Sequence, residues 1–142
     1  MEQISTFDIF KIGVGPSSSH TMGPWRAGGI FLDSFDWTQI ISIKIKLFGS
    51  LSKTGRGHGT DIAVMLGLEG FNEKTIDVNK IDDYINQIYA NQTININQAL
   101  QVPFNPQVHI EFINERLPAH PNALTFVAKL KDGSKMESTY YS

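Results

Sequence analysis

Ile41-Ser42-Ile43-Lys44-Ile45-Lys46-Leu47-Phe48 alternates side chains with a period of two, the pattern of a strand that buries one face and wets the other. Ile41, Ile43, Ile45 and Leu47 are assigned to the buried face. Gly49 to Gly59 follows as a loop holding four glycines. Thr60 or Asp61 then opens a helix through Ile62, Ala63, Met65 and Leu66 to Gly67. Strand, glycine-rich loop and helix in this order form a binding topology.

Upstream, Trp25, Gly28, Gly29, Phe31, Leu32 and Phe35 fit one face of a helix from about Pro24 to Phe35, with glycines that permit close packing. Phe7, Ile9, Phe10 and Ile12 form an apolar lead-in of one helical turn. Downstream, Phe71 to Asn79 is a polar connection, and Ile81, Tyr84, Ile85, Ile88 and Tyr89 recur at helical spacing up to about Asn91. Asn95, Asn97 and Gln98 give no clear pattern. Three strands close the chain, at Val108–Ile113, Leu124–Leu130 and Met136–Tyr141, the last two joined by the Asp132-Gly133 hairpin signal. The expected class is α+β, a mainly antiparallel sheet with helices packed on one face.

The 142 residues suffice for one domain with its own core. A net charge of −2 supplies no basic footprint, which argues against nucleic acid or an anionic membrane as partner. Cysteine is absent, so this chain offers neither disulfide, thiol nucleophile nor cysteine ligand for an iron–sulfur cluster. The start Met1-Glu2-Gln3 has no basic or apolar leader pattern, and a cytoplasmic location is expected. Tyr140-Tyr141-Ser142 ends without a polar tail, as though cut from something longer.

The chemistry gathers in Gly13-Val14-Gly15-Pro16-Ser17-Ser18-Ser19-His20-Thr21-Met22-Gly23-Pro24. Glycines and proline set an irregular turn, the serines supply small donors, and Thr21 or Gly23 caps a helix with Pro24 in its first turn. Free amides and the helix dipole would then point at a small anion, carboxylate or phosphate. Serine-rich caps that bind only water are common, but His20 adds a titratable group at the edge. Gly55-Arg56-Gly57-His58-Gly59-Thr60-Asp61 repeats the theme, with His58 between glycines before a helix. Each glycine-rich turn carries one histidine, so both could face one cleft. Asp61 either orients an imidazole or caps the helix. Ser50-Leu51-Ser52-Lys53 and Lys53-Thr54-Gly55 match serine–lysine enzyme patterns but share one lysine. No nucleotide loop or zinc spacing occurs. His109 reads as a sheet residue, and His120 as part of a rigid turn between prolines.

The run Phe7–Pro24, with Gly57-His58-Gly59-Thr60-Asp61 and His120-Pro121-Asn122, resembles the β-chain or N-terminal domain of the iron–sulfur-dependent L-serine dehydratases, over essentially residues 1–142. The resemblance implies an L-serine ammonia-lyase, acting in serine catabolism and gluconeogenesis, that makes pyruvate and ammonia at a [4Fe–4S] cluster. Its ligands are cysteines of an α or C-terminal catalytic domain outside this chain, and the complete enzyme is expected to be a homodimer. This chain itself contributes no metal ligand.

β-Elimination from serine requires loss of a weakly acidic Cα proton and departure of hydroxide, which an imidazole of pKa about 6.5 does not manage unaided. Under the resemblance, Ser17, Ser18, Ser19 and Thr21, with Thr60 and Asp61, bind and orient substrate. His20 and His58 transfer protons, with base and acid unassigned. The rival is a non-catalytic module, since the domain is similar to an allosteric substrate-binding domain that binds small acids; the serine turn would then be an effector site. A pyridoxal-phosphate dehydratase using Lys53 is a weaker third reading.

Overall fold

The computed structural model describes residues 18–52, 59–113 and 122–141, with the backbone alone for 18–21. The lead-in of Phe7 to Ile12 lies outside them. Helix α1 spans Ser18–Asp33. It leads through a 3-10 turn at Trp37–Gln39, capped by the Asp36 side chain, into strand β1, Ile40–Gly49. Helix α2 is Thr60–Leu68, and α3, Ile81–Asn91, follows a second 3-10 turn at Val78–Lys80. Strands β2, Thr93–Ile96, and β3, Leu100–Pro103, precede a helical turn, α4, at Pro106–His109. Strands β4, Ile110–Ile113, β5, Asn122–Leu130, and β6, Lys135–Tyr141, complete the described chain.

The main sheet has the order β4-β1-β5-β6, antiparallel except for the β1–β4 pair, and β2 and β3 form a separate hairpin. The α+β expectation holds. Ile45 pairs with both Phe126 and Ile110, and Leu47 with Leu124, so the apolar row of β1 continues across the sheet. Phe31 of α1 stacks on Phe126 at 4.9 Å between ring centroids. The opposite face presents Lys44, Lys46, Lys129, Lys135 and Glu137, so the strands are amphipathic and α1 packs on their apolar face.

Several boundaries differ from expectation. Helix α1 begins by Ser18, not at a cap on Thr21 or Gly23, and Pro24 stands inside it. Proline there loses its own N–H bond and crowds the carbonyl four residues back, a cost offset by burial of Met22, Trp25, Ala27, Phe31 and Leu32. Ile41 is 43% exposed rather than buried, because the register slips between Ile40 and Ser42 and reverses the faces. The expected strand from Val108 starts only at Ile110. Before it, Asn105 accepts from the Gln107 N–H at 3.0 Å with Pro106 in the first turn, which favours a helical turn. His109 therefore ends that turn, and its Nδ1 accepts from the Asn105 N–H at 2.8 Å. The unassigned Asn95–Gln98 stretch is the β2–β3 hairpin, turning through Asn97 and Gln98 at φ 51° and 56°. At Asp132-Gly133 the hairpin forms as expected, with Gly133 at φ 90°.

Candidate functional site

Helix α2 is buried nearly all round: of its nine residues only Ile62 is not fully enclosed. A helix with no wet face needs a close neighbour, and α1 supplies it. A Cβ on Gly67 would overlap the carbonyl oxygen of Trp25, and one on Gly28 would lie 3.0 Å from the backbone of Gly67 and Leu68. Further along, Ile30 and Asp33 share a cleft with Gly70 and Asn72. Around Gly28 and Gly67, then, α1 and α2 pack backbone against backbone.

Outside contacts hold this alignment. Trp25 Nε1 donates to the Phe71 carbonyl at 2.8 Å, and Arg26 bonds Glu73 at 2.7 Å, with the Glu73 side chain only 7% exposed. The Arg26 side chain stays 32% exposed, so this half-buried pair acts through geometry more than net energy.

Of the expected site residues, Ser18, Ser19, His20 and Thr21 have their backbone in the opening of α1. Ser17, His58 and His120 lie outside the described residues. Thr60 and Asp61 are fully buried in the first turn of α2. Asp61 Oδ1 accepts the Ile62 N–H at 3.0 Å, placing a carboxylate among the first-turn amides, where the dipole favours it. The N-cap itself is Gly59, at φ 136°, which provides no side-chain cap. Only glycine adopts that conformation without strain. Both motifs therefore open helices, whose starts favour negative charge such as a carboxylate or other small anion.

Asn122 was not singled out from the sequence as a site residue. It opens β5 opposite Gly49, where β1 ends and the segment toward Gly59 begins. Its Oδ1 is buried with no hydrogen-bond partner among the described residues. Leaving a buried acceptor unmet costs about 1–3 kcal/mol, so the atom marks a place where a donor is wanted. The signal available in sequence was its position directly after His120-Pro121.

As candidate metal ligands, no group of three His, Asp, Glu or Cys side chains converges among the described residues, and the chain has no cysteine. Its own donors do not fit a [4Fe–4S] cluster. No helix among the described residues is long and apolar enough to cross a membrane.

Comparison with known proteins agrees with the motifs. The family model described as "Serine dehydratase beta chain" matches residues 5–142. An L-serine dehydratase of Haemophilus influenzae is 39% identical over 98% of this chain and 32% of its own length. L-serine dehydratase 1 of Escherichia coli is 38% identical with the same coverage. An L-serine dehydratase of Streptomyces coelicolor is 39% identical, again over 98% of this chain. The chain thus spans about a third of the length of these relatives, 32% in each case.

Proposed function

The chain belongs to the serine dehydratase beta chain family, and on that footing we propose that it forms the substrate-orienting and proton-transferring part of an L-serine ammonia-lyase. The observation that carries the reading is the family match over residues 5–142. The described part of the two motifs is compatible with it: Ser18–Thr21 form the opening turn of α1, and Thr60 and Asp61 the opening turn of α2.

In this reading the serine carboxylate lies against the hydroxyls and amides of Ser17, Ser18, Ser19 and Thr21. Thr60 and Asp61, buried beneath, fix the start of α2 and with it the approach of His58. One of His20 and His58 removes the Cα proton, and the other delivers a proton to the departing hydroxyl oxygen. General acid–base help of this kind is worth roughly two to four orders of magnitude in rate. That is too little for β-elimination alone, and the reading assigns the remaining stabilisation to a [4Fe–4S] cluster on cysteines of a separate catalytic domain. The aminoacrylate released would tautomerise and hydrolyse to pyruvate and ammonia without further help from this chain.

The test is to purify the 142-residue chain anaerobically with iron and sulfide, assay pyruvate, and repeat with a cysteine-bearing catalytic domain of the family added. Activity is expected only with both. Pyruvate from the chain alone would overturn the division of labour, and failure of the partner to confer activity would count against the catalytic reading.

A further inference from the structure

At the opposite end of α2, bounded by the last turn of α3 and the β2–β3 hairpin, lies a cavity of about 300 Å³. Nine residues of helix separate the two ends, about 13 Å at 1.5 Å per residue. The cavity is therefore distinct from the helix-start site. Glu69 lines it and is 8% exposed. The Asn95 N–H donates to Glu69 Oε2 at 2.9 Å, and Oε1 has no donor among the described residues.

The helix ends and the carboxylate at this cavity have the same sign. Glu69 is the C-cap of α2, and Gln87, Ile88 and Asn91 bring the closing turn of α3 to the cavity. Neither helix has a basic residue in its last turn, and none of the described lining residues is basic. The negative ends of two helices thus meet a desolvated carboxylate. Burial pushes the Glu69 carboxyl above its usual range. A stabilising residue at this position would be neutral or cationic; an enclosed carboxylate lacking a counter-ion calls for one.

Size and lining decide what kind of cation fits. The volume is about ten times the ~30 Å³ share of one water, too roomy for a bare ion on one carboxylate. Phe71 and Tyr84 stack at 4.4 Å to form an aromatic wall, which suits carbon next to a cationic nitrogen. Side-chain amides of Gln87, Asn91 and Gln101 offer both donors and acceptors to the rest of the molecule. We propose that this cavity binds a small organic molecule through its primary ammonium group, with Glu69 as the ion partner and the amides receiving its polar remainder. The site stands independently of the catalytic proposal.

The experiment is a two-dimensional amide NMR titration of the labelled chain with ethanolamine, L-serine, propionate and potassium chloride. Support consists of saturable shifts at Asn95, Gln98 and Gln101 with ethanolamine or L-serine that propionate and potassium chloride do not produce. Glu69→Gln keeps a carbonyl for the Asn95 N–H and should weaken binding roughly ten- to a hundredfold. Should that variant lose its native spectrum, Gln101→Lys decides, because it sets a cation at the exposed rim and should block binding. The proposal is overturned by an equal response to propionate or potassium chloride, by no saturable shift with either amine, or by shifts confined to Asp61 and Asn122. Undiminished affinity in a folded Glu69→Gln chain, or in Gln101→Lys where the first variant does not fold, overturns it equally.

Discussion

The start and the end of α2 obey opposite electrostatic rules. At the start, Asp61 accepts a first-turn amide and lies where the helix dipole favours negative charge, an arrangement typically worth about 0.3–1 kcal/mol. At the end, Glu69 puts the same functional group at the negative pole, enclosed, with a single N–H donor. The first carboxylate is accounted for by folding alone. The second works against the helix that carries it, and the binding proposal for Glu69 rests on that contrast.

The largest effect is expected at the helix starts. In the complete enzyme, His20→Ala or His58→Ala should lower kcat by roughly two to four orders of magnitude, with a smaller change in KM. Glu69→Gln in the same enzyme should leave kcat far closer to the parent. Steady-state kinetics of all three variants would test the division; full kcat in either histidine variant removes that residue from proton transfer.

Next in size is the contact that aligns the two helices. Gly67→Ala drives a methyl into the Trp25 carbonyl, so α1 and α2 must separate, at a cost of about 1–3 kcal/mol. Gly29→Ala, in the same helix pair, meets nothing within 4 Å and should stabilise by about 0.5–1 kcal/mol through helix propensity. Urea midpoints of the two variants should move in opposite directions. Movement in the same direction would count against the close packing of α1 on α2 at Gly67.

What was legible in sequence followed from local pattern. The alternation of β1, the apolar spacing of α3 and the Asp132-Gly133 turn each depend on neighbouring residues and were read correctly. The slip at Ile40–Ser42 was not, since only pairing with β5 sets the phase. Pro24 misled because proline suits a first turn, whereas burial of its neighbours carries the helix past it. The β2–β3 turn uses Asn97 and Gln98 at positive φ without any glycine to announce it. Asn105-Pro106, by contrast, was a readable cap. The serine and histidine motifs were visible as strings, but the close packing of the helices they lead into depends on Gly28 and Gly67, distant in sequence. Leu68-Glu69-Gly70 reads as an ordinary helix end, and only the hairpin folding over it encloses the carboxylate.

The smallest expected effect concerns the pH dependence of stability. Burial raises the Glu69 carboxyl, opposed by the Asn95 N–H, which lowers it, and the balance is upward. The folded chain therefore holds this proton to a higher pH than the unfolded chain does. Its contribution to stability is complete below the unfolded carboxyl's pKa and is lost as pH rises through the folded one. Asp36 and Asp132 are lowered by hydrogen bonds from Thr38 and Ser134, so their dependence has the opposite sign and falls at lower pH. Subtracting the Glu69→Gln curve from the parent curve cancels both and leaves the Glu69 slope, downward just above the ordinary glutamate range. A saturating primary amine should flatten that slope, because an ammonium partner restores what desolvation removes from the ionised form. Parallel parent and variant curves would mean that Glu69 pays no desolvation cost, and the two ends of α2 would then cease to differ in the way their geometry requires.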